Sequence, residues 1–206
     1  MRKIILASNN PHKIKEFKEM FSEAEILSLN DIWYTDDIVE DWETFLDNAL
    51  IKCRAVYKFL KEKWIEANII ADDSGLCVNA LNWAPGVYSA RYAGWHWDNA
   101  ANRAKLFKEL EWKNDRSAYI ACCLVEMFPN GEYIYSEWRT YGKILEEEIW
   151  DKSFGYDCVF LSYDLHKSFW EATDEEKNKV SHRWRALGGL LEKEKQHTIY
   201  PWNNKL

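Results

Sequence analysis

At 206 residues, with 47% hydrophobic and 30% charged side chains, the chain can bury the core of one large domain or of two small lobes, and it has the make-up of a soluble globular protein. A net charge of −7 without a Lys/Arg block argues against a DNA or RNA surface, while leaving room for a local cationic pocket that takes a small anion. The opening "MRKIILASNN" carries too brief an apolar run for a signal peptide or a membrane span, so a cytoplasmic protein is expected.

In chain order, the pattern predicts a strand over about 2–8, then a helix from Pro11 to about Phe21. Proline suits the first helical turn, and Asn10 can cap it. A weak strand near 25–29 leads to the loop "DIWYTDDIVEDWE", followed by helical spacing through "TFLDNALIKCRAVYKFLKEKW", with Thr44 and Asp47 placed as a capping box. Strand 68–71 and an acidic turn come next, then a turn at "NWAPG", a helix near 98–110, and two β-rich runs joined by "PNG" as a hairpin. The last third holds a short apolar "CVFL" and a helical segment opened by Thr173 with Glu176 three residues on. Strands alternate with helices around one antiparallel hairpin, so the class is α/β with a mixed sheet. Five cysteines, odd in number and without C-x-x-C spacing, read as reduced and packed; the 12 tryptophans read as packing and interface area.

Three stretches carry chemical content. In "SNNPHK", Ser8, Asn10 and Lys13 add side-chain donors to the free N–H groups of a helix start, which would hold a phosphate; the same residues also make a plain N-cap with a solvated lysine. In "IIADDSG", alternation sends Asp72 and Asp73 to opposite sides of a strand, so only one can face a given site. That one, with Glu40 or Glu43 from upstream and Lys52 on the following helix, could hold Mg²⁺; equally, D-D-S-G could be a turn whose aspartates bond to backbone. In "EEKNKVSHRWRAL", Lys177 and Ser181 share a helix face while His182 and Arg183 lie about 140° and about 240° around the axis from Lys177. For all three cations to serve one pocket, the helix must break near 178–181 with Ser181 capping a second helix; the alternative is a solvated cationic face.

Together these stretches resemble the inosine triphosphate pyrophosphatase family. S-x-N-x-x-K at Ser8, Asn10 and Lys13 is followed in order by "TFLDNALIKC" at 44–53, "ADDSGL" at 71–76, "APGVYSARYAG" at 84–94, "SFGYDCVF" at 153–160 and "EEKNKVSHRWRAL". The resemblance implies one domain over 1–206, with a long twisted mixed sheet flanked by helices in an elongated two-lobed fold, the active site in the cleft, and a homodimer. It implies hydrolysis of purine nucleoside triphosphates (ITP, dITP, XTP) to monophosphate and pyrophosphate, which cleanses the nucleotide pool, with Mg²⁺ (or Mn²⁺) as cofactor and with no nucleic-acid or membrane partner. By the same resemblance Ser8, Asn10 and Lys13 hold phosphates, with Lys52 beside them, Glu40 and Asp73 bind the metal, and Asp73 is the general base. Ser74 contacts substrate, Phe154, Gly155, Tyr156 and Asp157 wall the nucleoside pocket, and Lys177, His182 and Arg183 complete base and phosphate recognition. Asp72 is left as a structural partner. Trp42, Trp83, Cys158 and Trp170 depart from the family's smaller or different residues. A related pyrophosphatase for other modified triphosphates, or a nucleotide-binding protein without turnover, are the alternatives.

Overall fold

The structure, a computed structural model, describes residues 2–94, 98–149, 155–196 and 199–200. β1 (Arg2–Leu6) leads through α1 (Pro11–Met20) to β2 (Ala24–Leu27), and α2 (Phe45–Glu62) leads to β3 (Asn68–Val78). β1 pairs in parallel with both β2 and β3, so each return needs a crossover, and α1 and α2 supply them. Because the chain moves to one side of β1 and then to the other, the carboxyl end of β1 beside β3 is the topological switch point at which α/β sheets receive ligands.

α3 (Asn99–Leu110) precedes β4 (Ser117–Met127) and β5 (Tyr133–Ile144), and β6 (Phe160–Ser162), β7 (Lys167–Ser168), α4 (Asp174–Val180) and α5 (His182–Lys195) follow. The order across the sheet is β2-β1-β3-β4-β5-β6-β7, with β5, β6 and β7 antiparallel in turn. The sheet is therefore mixed, as the alternation of elements predicts. The "PNG" hairpin is closed by Phe128 N–H on the Glu132 carbonyl at 2.8 Å and Gly131 N–H on Phe128 at 2.9 Å. All five cysteines are buried thiols. Among the described residues no helix is long and apolar enough to cross a membrane.

The described parts of Met1–Asp73, Cys123–Glu137 and Ala186–Leu206 form one compact unit, and those of Ser74–Cys122 and Trp138–Arg185 another. In the first, alternate strand residues Ile5, Ala7, Ile69 and Ala71 pack in one core with Ala49, Cys53 and Val56 of α2. Ile4, Leu6 and Ile70 point to the opposite face and are equally buried. The second unit builds its own core from Leu76 and Val78 of β3, Leu106 and Leu110 of α3, and Phe160 and Phe169.

One expectation is corrected. The acidic turn after residue 71 does not exist: β3 continues unbroken through Asp72, Asp73, Ser74 and Gly75 to Val78. Gly75 permits this by close packing, since a Cβ there would lie 2.2 Å from the Gly86 carbonyl oxygen. The Leu76 N–H is satisfied by Ser89 Oγ at 2.8 Å. D-D-S-G is turn chemistry only locally, and contacts with residues 86–89 override it.

Candidate active site

Alternation along β3 sorts the acidic pair. Asp72 follows Ile70 onto one face, where its carboxylate meets the Lys13 ammonium of α1 at 2.9 Å. Asp73 follows Ile69 and Ala71 onto the α2 face, where Asn48 Nδ2 donates to it at 3.1 Å and the Lys52 ammonium lies 3.7 Å away. Both carboxylates are buried, Asp72 2% and Asp73 7% exposed. The pair is therefore not a turn, and each member has its own lysine.

Lys52 joins the cluster together. Its ammonium sits 2.6 Å from the Glu40 carboxylate and donates to the Asp72 carbonyl at 2.9 Å, with the Asp73 carboxylate farther off as an ion-pair partner. Burial works against the charge on Lys52, but Asp73, then Glu40 and Asp72, outweigh it and hold the ammonium above its ordinary range. Burial pushes the Asp73 carboxyl up from 3.8, and the Lys52 and Lys13 charges only partly offset this. A carboxyl so placed is a stronger base than a free aspartate.

Asn48 is a functional residue that sequence reasoning missed. It is fully buried on α2, holds Asp73, and exchanges hydrogen bonds with the Trp42 backbone in the acidic loop, both at 3.2 Å. Its one signal was position: an amide at the core-facing spacing of an amphipathic helix, beside Ala49 and Leu50. Glu43 is exposed and stands outside this cluster.

At the start of α1, Asn10 Oδ1 accepts from the His12 and Lys13 N–H groups at 3.0 and 3.3 Å, and Ser8 Oγ accepts from Asn10 N–H at 3.1 Å. The cap is real, and it lies at the switch point. The predicted phosphate residues and the buried carboxylates of β3 thus belong to one place in the first unit.

The other predicted residues gather in the second unit. α4 begins with the Thr173–Glu176 capping box and ends at Val180, Ser181 takes an extended conformation, and α5 starts at His182. Ser181 Oγ accepts from Trp184 N–H at 3.3 Å, and Thr140 Oγ1 donates to the Val180 carbonyl at 2.7 Å, so the break is capped and pinned as the rotational phase predicts. Lys177 pairs with Asp157 at 2.6 Å, while Arg183 donates to Ser74 Oγ at 3.2 Å. His182 and Arg183 are both buried. The Tyr156 hydroxyl donates to the Ser89 carbonyl at 2.9 Å, and burial raises its pKa. Phe154 lies outside the described residues.

Of the departures, Cys158 is fully buried in the second core, and Trp42, Trp83 and Trp170 are 38%, 51% and 43% exposed.

Glu40 and Asp73 are two oxygen donors against one cation, one of them mostly buried. Such a set suits a hard divalent ion that completes its shell with water and phosphate oxygens. Among the described residues no group of three or more His, Cys, Asp or Glu side chains is arranged to hold a metal.

The model of the Ham1 family matches residues 4–193. The chain belongs to the Ham1 family. It is 45% identical to a dITP/XTP pyrophosphatase of Clostridium perfringens, covering 92% of this chain and 96% of that one, and 41% identical to one of Bacillus subtilis over the same shares. Among solved structures, the Ham1 protein of Staphylococcus aureus superposes with a TM-score of 0.83 at 34% identity, covering 95% of this chain and 100% of that one. The nucleoside-triphosphatase (dITP/XTP pyrophosphatase) structure from Mycobacterium abscessus gives 0.72 at 40% identity, covering 92% and 98%. The α/β fold with a mixed sheet is thus that of Ham1 proteins.

Proposed function

We propose that this Ham1-family chain is a nucleoside triphosphate pyrophosphatase that hydrolyses ITP, dITP and XTP to the monophosphate and pyrophosphate and so cleanses the nucleotide pool. The observation that carries the reading is Asp73, a buried carboxylate with a raised pKa, held by Asn48 and Lys52 at the switch point of the sheet. The similarity to the dITP/XTP pyrophosphatases of Clostridium perfringens and Bacillus subtilis supports the same activity.

In this reading Asp73 takes the proton of a water that attacks the α-phosphorus. Lys52 keeps the carboxylate ionised and faces the phosphate charge that develops, and Lys13, Ser8, Asn10 and the α1 N–H groups hold the phosphates. Glu40 and Asp73 would hold Mg²⁺ or Mn²⁺, which would supply charge neutralisation for a polyanionic substrate. In the second unit Ser74, Gly155, Tyr156 and Asp157 serve the nucleoside, and Lys177, His182 and Arg183 serve base and phosphate. Hypoxanthine and xanthine carry a 6-oxo acceptor where adenine has an amino donor, so the N–H groups of Lys177 and Arg183 favour oxo purines. The working form is a cytoplasmic homodimer that takes free nucleotides.

The test is a triphosphate panel with product identification. With Mg²⁺, dITP and XTP are expected to yield monophosphate and pyrophosphate far faster than dGTP or dATP. Equal rates on all four, or orthophosphate as first product, would contradict the reading.

A further inference from the structure

The reading above leaves one buried cation without a role. Arg103, on α3, is 1% exposed and is the largest fully buried side chain among the described residues. Its Nη1 donates to the Gly155 carbonyl at 3.1 Å, and its Nε lies 3.1 Å from the Glu148 carboxylate. A methionine or leucine would fill the same volume without desolvating a charge, so packing does not account for it. What a guanidinium adds is a hydrogen-bond donor to the Gly155 carbonyl and a cation beside the Glu148 carboxylate. Gly155 has φ +60°, which its missing Cβ allows at no steric cost, so only outside contacts restrict the backbone there, and the Tyr156 hydroxyl beside it donates to the Ser89 carbonyl. Arg103 and Ser89 therefore hold two successive residues of the Gly155–Asp157 stretch, one through a backbone carbonyl and the other through the Tyr156 hydroxyl.

We propose that Arg103 is a positioning residue that fixes the Gly155–Tyr156–Asp157 segment for the nucleoside; this rests on the pyrophosphatase reading. The experiment is steady-state kinetics on dITP with Arg103→Met, Arg103→Lys and Glu148→Gln, alongside circular dichroism. Arg103→Met is expected to raise KM about tenfold with kcat little changed, a nucleoside-binding loss of about 1.4 kcal/mol. Arg103→Lys should restore part of it through one remaining donor. Should Arg103→Met fail to fold, Glu148→Gln, which loosens the guanidinium and keeps the donor, is expected to raise KM severalfold. An unchanged KM in a folded variant, or a fall in kcat alone, overturns the proposal. A wild-type protein inert on the whole panel overturns the pyrophosphatase reading instead.

An independent observation concerns the tryptophans. Among the described residues six non-glycine residues have positive φ: Asn82 and His166, of types that tolerate it, and Trp33, Trp64, Trp83 and Trp112. A bulky aromatic is a poor occupant of the left-handed region, and the rings gain little, since Trp33, Trp64 and Trp112 are 84%, 93% and 93% exposed. Trp64 occupies the position after the α2 C-cap, where its N–H bonds the Lys61 carbonyl at 3.1 Å and Ile65 N–H bonds Leu60 at 3.0 Å. That pair of bonds is the helix stop that glycine makes, while Trp112, after α3, is the third residue of a turn closed by Lys113 N–H on the Leu110 carbonyl at 3.1 Å, a place that also favours glycine. The chain has 12 tryptophans against 8 glycines, an inversion of ordinary usage.

We infer that positions 33, 64, 83 and 112 are glycine positions, tryptophan standing there for a codon, such as UGA, that the native cell reads as glycine. Peptide mass spectrometry of the protein isolated from its own cells should find glycine at all four, and tryptophan there overturns the inference. In the tryptophan-containing protein, Trp64→Gly and Trp112→Gly should each raise the thermal midpoint by several degrees; unchanged or lowered midpoints count against it.

Discussion

Asp72, Asp73, Lys13 and Lys52 sit on a central strand and on the helices of its two faces, whereas Lys177, Arg183 and Tyr156 sit at a helix break and beside a loop. In the first group regular structure sets position: alternation gives each aspartate its own face, and each face brings one lysine. In the second, caps and carbonyl contacts set position, as Ser181 at the break and Ser89 beneath Tyr156 show. The first arrangement is buried and charged, so removing a group from it should change stability, upward or downward according to the charge removed, together with chemistry. The second is held by caps, hydrogen bonds and the partly exposed Lys177–Asp157 pair, so breaking it should act on binding first.

Asp73→Asn tests the difference most severely. Turnover of dITP should fall by about 10²–10⁴-fold, the share of a general base, while nucleotide binding persists. Stability should move the other way. Asp73 has a folded pKa above 3.8, so the folded state holds its proton longer and stability declines as pH rises from 3.8 through the folded value. The asparagine variant lacks that decline and should melt higher than wild type at neutral pH but not at pH 3. A lower melting point at neutral pH would show that Asp73 stabilises the fold.

Lys52→Met should cost about 3–5 kcal/mol in urea unfolding, because Glu40 and Asp73 lose their buried counter-charge. It should also move the acid limb of the pH–rate profile to higher pH, since Lys52 is the main influence that lowers the Asp73 pKa. Asn48→Ala should cost about 1–3 kcal/mol through the hydrogen bonds lost to Asp73 and the Trp42 backbone. Ser181→Ala, in the second group, should cost only about 1 kcal/mol as a lost cap, with a rise in KM as its main kinetic effect. Equal stability losses for Lys52→Met and Ser181→Ala would erase the contrast between the two regions.

Local rules made part of this legible. The Asn10 and Thr173 caps, the break at Ser181 and the opposite facing of Asp72 and Asp73 follow from spacing and rotational phase, and all are present. What stayed hidden depends on distant chain. β3 runs past residue 71 because Gly75 meets Gly86 and Ser89 meets Leu76, and no local pattern in D-D-S-G records those partners. Asn48 and Arg103 read as ordinary helix residues until their partners, 25 and 52 residues away in sequence, come into contact. The two-residue strand β7 is too short to show any period.

The continuity of β3 also bears on how this protein can change length over generations. Asp73 and Ser74 are consecutive residues of one strand, the former closing the opening segment of one compact unit and the latter beginning the other. Inserting or deleting a single residue just before them would turn both side chains to the wrong faces at once. The loop that carries Glu40 is under no such parity rule and can absorb additions away from that residue. Lineages of this chain should therefore vary in the span before α2 and keep the residue count of β3 constant.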